Sequence, residues 1–293
     1  MTELRGEIYD IGYQHYDGPR EGRGRARKAL WANGVRTALG IGRGWISKAL
    51  PILLFIALMI PALVFTIMGT LLGGTIDVPD NADYYRVTPA ILFIFSAIIA
   101  PELLTADRRS GVINLYLVRP LSTTDYILGR WLAFFTITLV FVYLPQIVLT
   151  IGLTLGAAEP LEHLKNNWDV IPRFLAAGLV IGLFTSTLPL AAAAFTTRRA
   201  YATVFVIGLW FVSTAVGNAM VSELSGALGT WTALISFGEV PIFVNDMIFG
   251  NNPDSDLSRA ASELPRLAVI ACYVALIAVP AFLLWWRYQR LRL

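Results

Sequence analysis

Charge is scarce in this sequence. Asp, Glu, Lys and Arg make up 15% of its residues, and 56% are hydrophobic, where a soluble domain carries about 25% charged residues. So few polar side chains cannot cover a chain of this size in water, whereas lipid tails can solvate an apolar exterior. Cysteine is scarcer still: Cys272 stands alone in an apolar run, which excludes an intrachain disulfide. The lysines are Lys28, Lys48 and Lys165. None follows a glycine or precedes Ser or Thr, so the phosphate-binding loop GxxxxGK[ST] is missing. The glycines of "GIGRG" at 40–44 have neither the preceding strand nor the spacing of a nucleotide fingerprint. The start, "MTELRGEIYDIGYQHYDG", lacks the basic and apolar regions of a cleavable signal. Membrane targeting is then expected of the first spanning segment.

What the sequence does contain is apolar runs of spanning length, which need about 20 residues each. Six are expected to cross a bilayer, near 49–72, 87–104, 131–155, 174–195, 201–221 and 266–286. Arginine and lysine orient them. Eighteen of the 23 flank one side: nine in the arm before the first run, Arg108, Arg109, Arg119 and Arg130 after the second, Arg198 and Arg199 after the fourth, and three in the tail. The other side holds Arg86, Lys165, Arg173, Arg259 and Arg266. This alternation puts both termini in the cytoplasm. It separates His15 (inside) from His163 (outside), so they cannot share a metal or a catalytic dyad. With no Asp inside a run, an intramembrane aspartyl protease is also disfavoured, and enzyme readings are poor.

The expected organisation is a cytoplasmic arm over 1–48 and a membrane domain over 49–293. In the arm, Trp31, Val35, Ala38 and Leu39 fall on one helical face, with Arg27, Lys28 and Arg36 on the rest. Such a basic amphipathic helix lies in the headgroup layer, either as a topological anchor or as an elbow that also touches a cytoplasmic partner. Residues 105–132 open on the cluster Asp107, Arg108, Arg109 and continue through the apolar "VINLYLV" to "RP", which disfavours helix before the proline. Ser122 and Asp125 then have the spacing of a capping box. The segment reads as a short cytoplasmic helix, a break and a helical re-entry, or as an interfacial loop whose arginines hold topology. On the other side, 222–265 contains the apolar "TWTALISFGEVPIFVNDMIFG", interrupted by Gly238, Pro241 and Gly250. It dips back into the outer leaflet or lies on the surface as a cap.

Charges within a span mark ion or proton pathways. Glu102, near the end of the second run, is the one such residue clear of a run's first position. It is either an interfacial carboxylate paired with Arg108 or Arg109, or the proton site of a secondary carrier. Gln146 beside Pro145, Thr185 to Thr187, and Asn218 are either interhelical hydrogen-bonding groups or pathway residues. Gly69–Gly73 and Gly178–Gly182 have the spacing that lets helices approach closely.

Six spans, a basic elbow, and "PELLTADRRSGVINLYLVRPLSTTDYILGRWL" after the second span together resemble the permease subunits of ABC-2 type transporters, the type V exporter fold. The residues that carry the resemblance are Glu102, Asp107 to Gly111, Arg119, Pro120, Ser122, and Tyr126 to Arg130; the N-terminal leader looks like that of actinobacterial members. The resemblance implies an all-α integral membrane protein of the bacterial plasma membrane. It has six transmembrane helices, an elbow helix around Trp31, Val35 and Leu39, a cytoplasmic coupling helix between spans two and three, and outer re-entrant helices between spans five and six. It implies two copies of a separate ATPase, which carry ATP and Mg, and a second permease, identical or paralogous; this chain itself would bind no cofactor, and no nucleic acid enters. On this reading Val112, Ile113 and Leu115 dock in the ATPase, while Glu102, Asp107, Arg108 and Arg109 set register. The cargo is lipid-like or drug-like and leaves the cytoplasm past Gln146 and Asn218. A proton-coupled carrier using Glu102 and a non-transporting scaffold are the competing functions.

Overall fold

The computed structural model describes residues 22–42, 44–72, 79–109, 111, 121–224 and 226–290, except for the side chains at 46, 72, 106 and 109. The described residues are helical, with no strand among them. The helices are α1 (Arg23–Ala38), α2 (Trp45–Leu72), α3 (Asn81–Val87), α4 (Pro89–Arg109), α5 (Thr123–Gly156), α6 (Pro160–Asn166), α7 (Val170–Ala193), α8 (Arg199–Glu223), α9 (Ala227–Thr232), α10 (Val240–Phe249), α11 (Asp256–Glu263) and α12 (Arg266–Gln289).

Among the described residues five helices, α2, α5, α7, α8 and α12, are each long and apolar enough to cross a membrane. Two bent pairs also qualify when joined, which brings the count to between five and seven. The chain is therefore an all-helical protein with the character of a multi-pass membrane protein. The first bent pair, α3 and α4, turns by 48° where Pro89 supplies no N–H to the helical ladder. The expected second run is thus the straight part of a longer, kinked element that begins at Asn81. The second pair, α9 with its following 3-10 turn and α10, turns by 108°. Gly250 ends α10 in the left-handed region (φ 73°), with its N–H bonded to the Asp246 carbonyl; that conformation costs a residue with a Cβ but not glycine.

Helices α5 and α7 form the centre. In their most apolar windows 50% and 67% of residues are buried, against 17% for α2 and α8 and 22% for α12, so the last three keep most of their apolar surface on the outside. Around α5 the rings of Phe55, Phe95, Phe134 and Phe141 make a continuous contact, with centroids 4.6 to 6.1 Å apart. A second core between α4, α7 and α8 stacks Phe93 on Phe184 at 5.7 Å and sets Trp210 edge-on to Phe93 at 5.1 Å. Close approach depends on small residues. Gly178 and Gly182 face Tyr143 and Leu139 of α5, as their spacing leads one to expect, while Gly152 and Gly156 of α5 receive Thr66 and Thr70 of α2.

Helix α1 differs from its expected register. Its buried face is Leu30, Gly34 and Ala38, packed on α5, where Gly34 abuts Ala133 and Gly129 abuts Leu30. Val35 and Leu39 are partly buried beside this face. Trp31 lies at the rim, 40% exposed, with its indole N–H donating to Thr136 Oγ1 at 3.2 Å. Helical periodicity located the face only to within one residue, because two adjacent glycine contacts, invisible to a hydrophobicity count, select the close side. Helix α2 begins at Trp45, inside the stretch assigned to the arm.

Candidate functional site

At one end of the bundle, the arginine-rich end, polar groups of six helices meet. Asp107 lies in the last turn of α4. Its Oδ2 accepts from Arg130 Nη2 at 2.6 Å and from the Tyr126 hydroxyl at 2.8 Å. Tyr126 and Arg130 are four residues apart, so α5 presents both on one face. Arg130 is 1% exposed. Tyr126 in turn packs on Tyr288 of α12, centroids 5.8 Å apart, and Gln289 donates to Thr124 at 3.3 Å.

Arg108 points the other way. Its Nη1 donates to the carbonyls of Ala194 at 2.8 Å and Thr196 at 3.2 Å, the orphan acceptors just beyond α7, where a cation also suits the helix dipole. Glu102 Oε1 accepts from Arg199 Nη1 at 3.0 Å, which ties α4 to the first residue of α8. Of the two sequence-expected partners of Glu102, Arg108 turns instead to those carbonyls and the Arg109 side chain lies outside the described residues; Arg199, remote in the chain, pairs with Glu102.

Helix α1 is fastened to the same region. Ser122 and Asp125 form the expected capping box at the start of α5. The buried Asp125 also accepts from Arg23 Nε and Arg27 Nε, both at 2.8 Å. The arm is therefore pinned to the first turn of α5 through one carboxylate shared by a helix cap and two guanidinium groups.

The structure thus gathers Glu102, Asp107 and Arg108 at one end, where Asp125 also holds Arg23 and Arg27 of α1, and gives both Asp107 and Arg108 internal partners. Trp31 meets Thr136 further along α5, and Val35 and Leu39 pack on the apolar core. Val112, Ile113, Leu115, Arg119 and Pro120, and the side chain of Arg109, lie outside the described residues. The two candidate pathway residues are not brought together. Gln146 is fully buried toward the other end, exchanging hydrogen bonds with Asn81: Nε2 donates to the Asn81 carbonyl at 2.8 Å, and Oε1 accepts from Nδ2. Asn218 is on the exposed face of α8 and donates to the Thr214 carbonyl at 3.0 Å.

Sequence reasoning did not single out Arg23, Arg130, Tyr288 or Arg199 for these roles. The Tyr126–Arg130 spacing is a local signal; the partners lie far along the chain, and only the fold brings them near. The far end has its own polar tie. Arg86 donates from Nε to Asp246 at 3.0 Å and from Nη2 to the Asn252 carbonyl at 2.8 Å, and reaches Asp83 and Asp254 at 3.3 Å each. Among the described residues no three His, Cys, Asp or Glu side chains converge as metal ligands. Compared with models of known protein families and with curated proteins, the chain matches none.

Proposed function

We propose that this chain is the membrane-spanning subunit of an ABC-2 type exporter, driven by a separate ATPase that grips it through residues 110–120. The reading adds six crossings, cytoplasmic termini and a bacterial plasma-membrane location. The observation that supports it best is the way the ends of that segment are anchored. Asp107, Arg108 and Glu102 tie its N-terminal side to α5, α7 and α8, and Asp125 ties its C-terminal side to α1. A force applied to 110–120 would reach five helices through ion pairs and charge-assisted hydrogen bonds and be transmitted as rigid-body movement. A plain connecting loop needs no such anchorage. On this reading Asp107 and Arg108 position the docking segment, and the apolar Val112, Ile113 and Leu115 supply its contact surface.

The carrier alternative assigns the proton to Glu102. That carboxylate pairs with Arg199 at the end of the bundle and is 22% exposed, whereas proton relays sit within the crossing; nothing specific favours it.

The test is to replace Val112, Ile113 and Leu115 together by Asp and to co-express the chain with a candidate ATPase subunit that co-purifies with the parent. Normal membrane insertion with loss of the co-purifying ATPase is the expected result. Transport by the purified chain under a pH gradient, without nucleotide, would overturn the reading in favour of the carrier.

A further inference from the structure

We propose that a cavity between the far ends of α2 and α5 binds a long-chain amphiphile bearing a protonated amine. The proposal stands on the cavity itself, independently of what drives the chain.

The cavity measures about 580 Å³ and lies among Thr70 of α2, Asp80, Asn81, Thr154 of α5, His163 of α6 and Asn167 just beyond it. Its polar lining is rich in acceptors because local hydrogen bonds use the protons of its hydroxyls. Thr70 Oγ1 donates to the Ile67 carbonyl at 3.0 Å, Thr150 Oγ1 to Gln146 at 2.8 Å and Thr154 Oγ1 to Thr150 at 2.7 Å. Thr70 and Thr154 therefore keep acceptor lone pairs for a ligand, whereas Thr150 already accepts from Asn81 Nδ2 at 2.8 Å. Asn81 Nδ2 donates to Gln146 and Thr150, and Asn167 Nδ2 to the His163 carbonyl, so the amide donors are engaged too. Asp80 adds a negative charge. Its Oδ1 caps α3 by accepting from the N–H groups of Ala82 and Asp83, which leaves Oδ2 for a further donor.

Backbone electrostatics are mixed: the N-termini of α3 at Asn81, already capped by Asp80, and of α7 at Val170 border the cavity, while two C-terminal ends favour a cation. Thr70 and Gly156 belong to the last turns of α2 and α5, and neither helix has a basic residue there. Both present the negative end of a helix dipole, which favours a cation. A phosphate or carboxylate would find a donor in the His163 imidazole but otherwise meet lone pairs and a carboxylate, whereas an ammonium group brings three donors and a positive charge to the same lining.

An apolar groove adjoins this lining. It measures about 320 Å³, shares Thr150, Thr154 and Leu164 with the cavity, and runs between Ile147, Ile151, Leu155 and Phe174. Ile147, Ile151 and Leu155 are 46%, 53% and 70% exposed, on a flank that a bilayer covers. A polar, cation-favouring chamber bordered by an oily groove fits a molecule with an amine head and one hydrocarbon chain that arrives from the membrane.

The test uses the full chain in nanodiscs of phosphatidylcholine and phosphatidylglycerol at pH 8, where an alkylamine is still protonated. Radiolabelled dodecylamine is titrated, with dodecanol and butylamine as competitors and empty nanodiscs as background. Saturable dodecylamine binding is expected, displaced poorly by either competitor. Asp80→Asn keeps a good helix cap but removes the charge, and should weaken dodecylamine about tenfold. Thr154→Val, of the same shape, should weaken it several-fold, and thermal unfolding of both variants should match the parent. Binding no greater than to empty discs would overturn the proposal. So would equal affinity for dodecanol, equal affinity for butylamine, or an unchanged affinity in Asp80→Asn. None of these outcomes touches ATPase docking, so the two proposals fail separately.

Discussion

Asp107 at the end of α4 and Arg130 in the second turn of α5 are joined at 2.6 Å, with the guanidinium 1% exposed and the carboxylate 15% exposed. They bracket the segment that follows α4, so the base of that segment is closed by an ion pair largely removed from water. Such a pair contributes little beyond what a well-packed apolar pair would, yet losing one partner strands a buried charge. Asp107→Ala and Arg130→Ala should each destabilise the protein by about 3 kcal/mol. The exchanged pair, Asp107→Arg with Arg130→Asp, should recover more than half of the summed loss. Unfolding in detergent measures all three; strictly additive losses would show that the residues act apart.

Asp125 serves two structures at once, and substitution separates them. Ser122→Ala removes the cap oxygen but leaves Arg23 and Arg27 on the carboxylate, at a cost of about 1 kcal/mol. Asp125→Ala removes cap and clamp together and should free α1 from α5. Limited trypsin digestion reads the difference at Arg23, Arg25 and Arg27: cleavage should accelerate several-fold in Asp125→Ala and little in Ser122→Ala. Equal rates would mean that the apolar face Leu30–Gly34–Ala38 holds the helix without ionic help.

The elements legible from sequence were those with local causes. The five long apolar helices are where twenty-odd apolar residues run without charge, and the capping box lies at Ser122 and Asp125 because its four-residue spacing is self-contained. The bend at Pro89 and the helix α3 within an expected loop were not legible: "NADYYRV" is polar by composition, and it is buried only because Tyr84 and Tyr85 reach the carbonyls of Leu58 and Phe174. The polar belt was half legible. Glu102, Asp107 and Arg108 stand out as charges beside an oily run, but their partners lie 19 to 97 residues away. No pattern of spacing encodes those distances.

Arg86 organises the far end as Arg130 organises the other. One guanidinium spans Asp83, Asp246, Asp254 and the Asn252 carbonyl, and joins the bent α3–α4 element to α10 and the chain after it. Arg86→Ala leaves the largely buried Asp246 facing Asp83 and Asp254 without a cation between them. Amide exchange across α10 and α11 should accelerate at least tenfold, the equivalent of about 1.4 kcal/mol of local stability. Arg86→Lys should restore only part of the protection, since a single ammonium cannot serve that fork of acceptors. Protection unchanged in Arg86→Ala would assign the stability of this cap to its apolar contacts alone.

The 108° turn between α9 and α10 decides how many times the chain crosses. Helix α8 starts at the arginine-rich end, where Arg199 meets Glu102, and α12 finishes there, with Tyr288 on Tyr126. The chain between them contacts the far end: Arg173 donates to the Phe249 carbonyl at 3.3 Å, and Arg86 holds Asp246. If α8 and α12 each cross once, α9 and α10 must enter and leave on the same side. The expected topology is six crossings. Single cysteines at Lys28, Thr197, Lys165 and Asn252, in a Cys272→Ser background, test it with an impermeant maleimide on intact cells and on inverted vesicles. Lys28→Cys and Thr197→Cys should label only from the cytoplasm, and Lys165→Cys and Asn252→Cys only from outside. Labelling of Asn252→Cys from the cytoplasm would make the bent pair a true crossing and send the C-terminus outward, away from the α5 start that Tyr288 touches. Such a result could not be reconciled with the contacts at the arginine-rich end, and would refute the arrangement of helices as well as the topology.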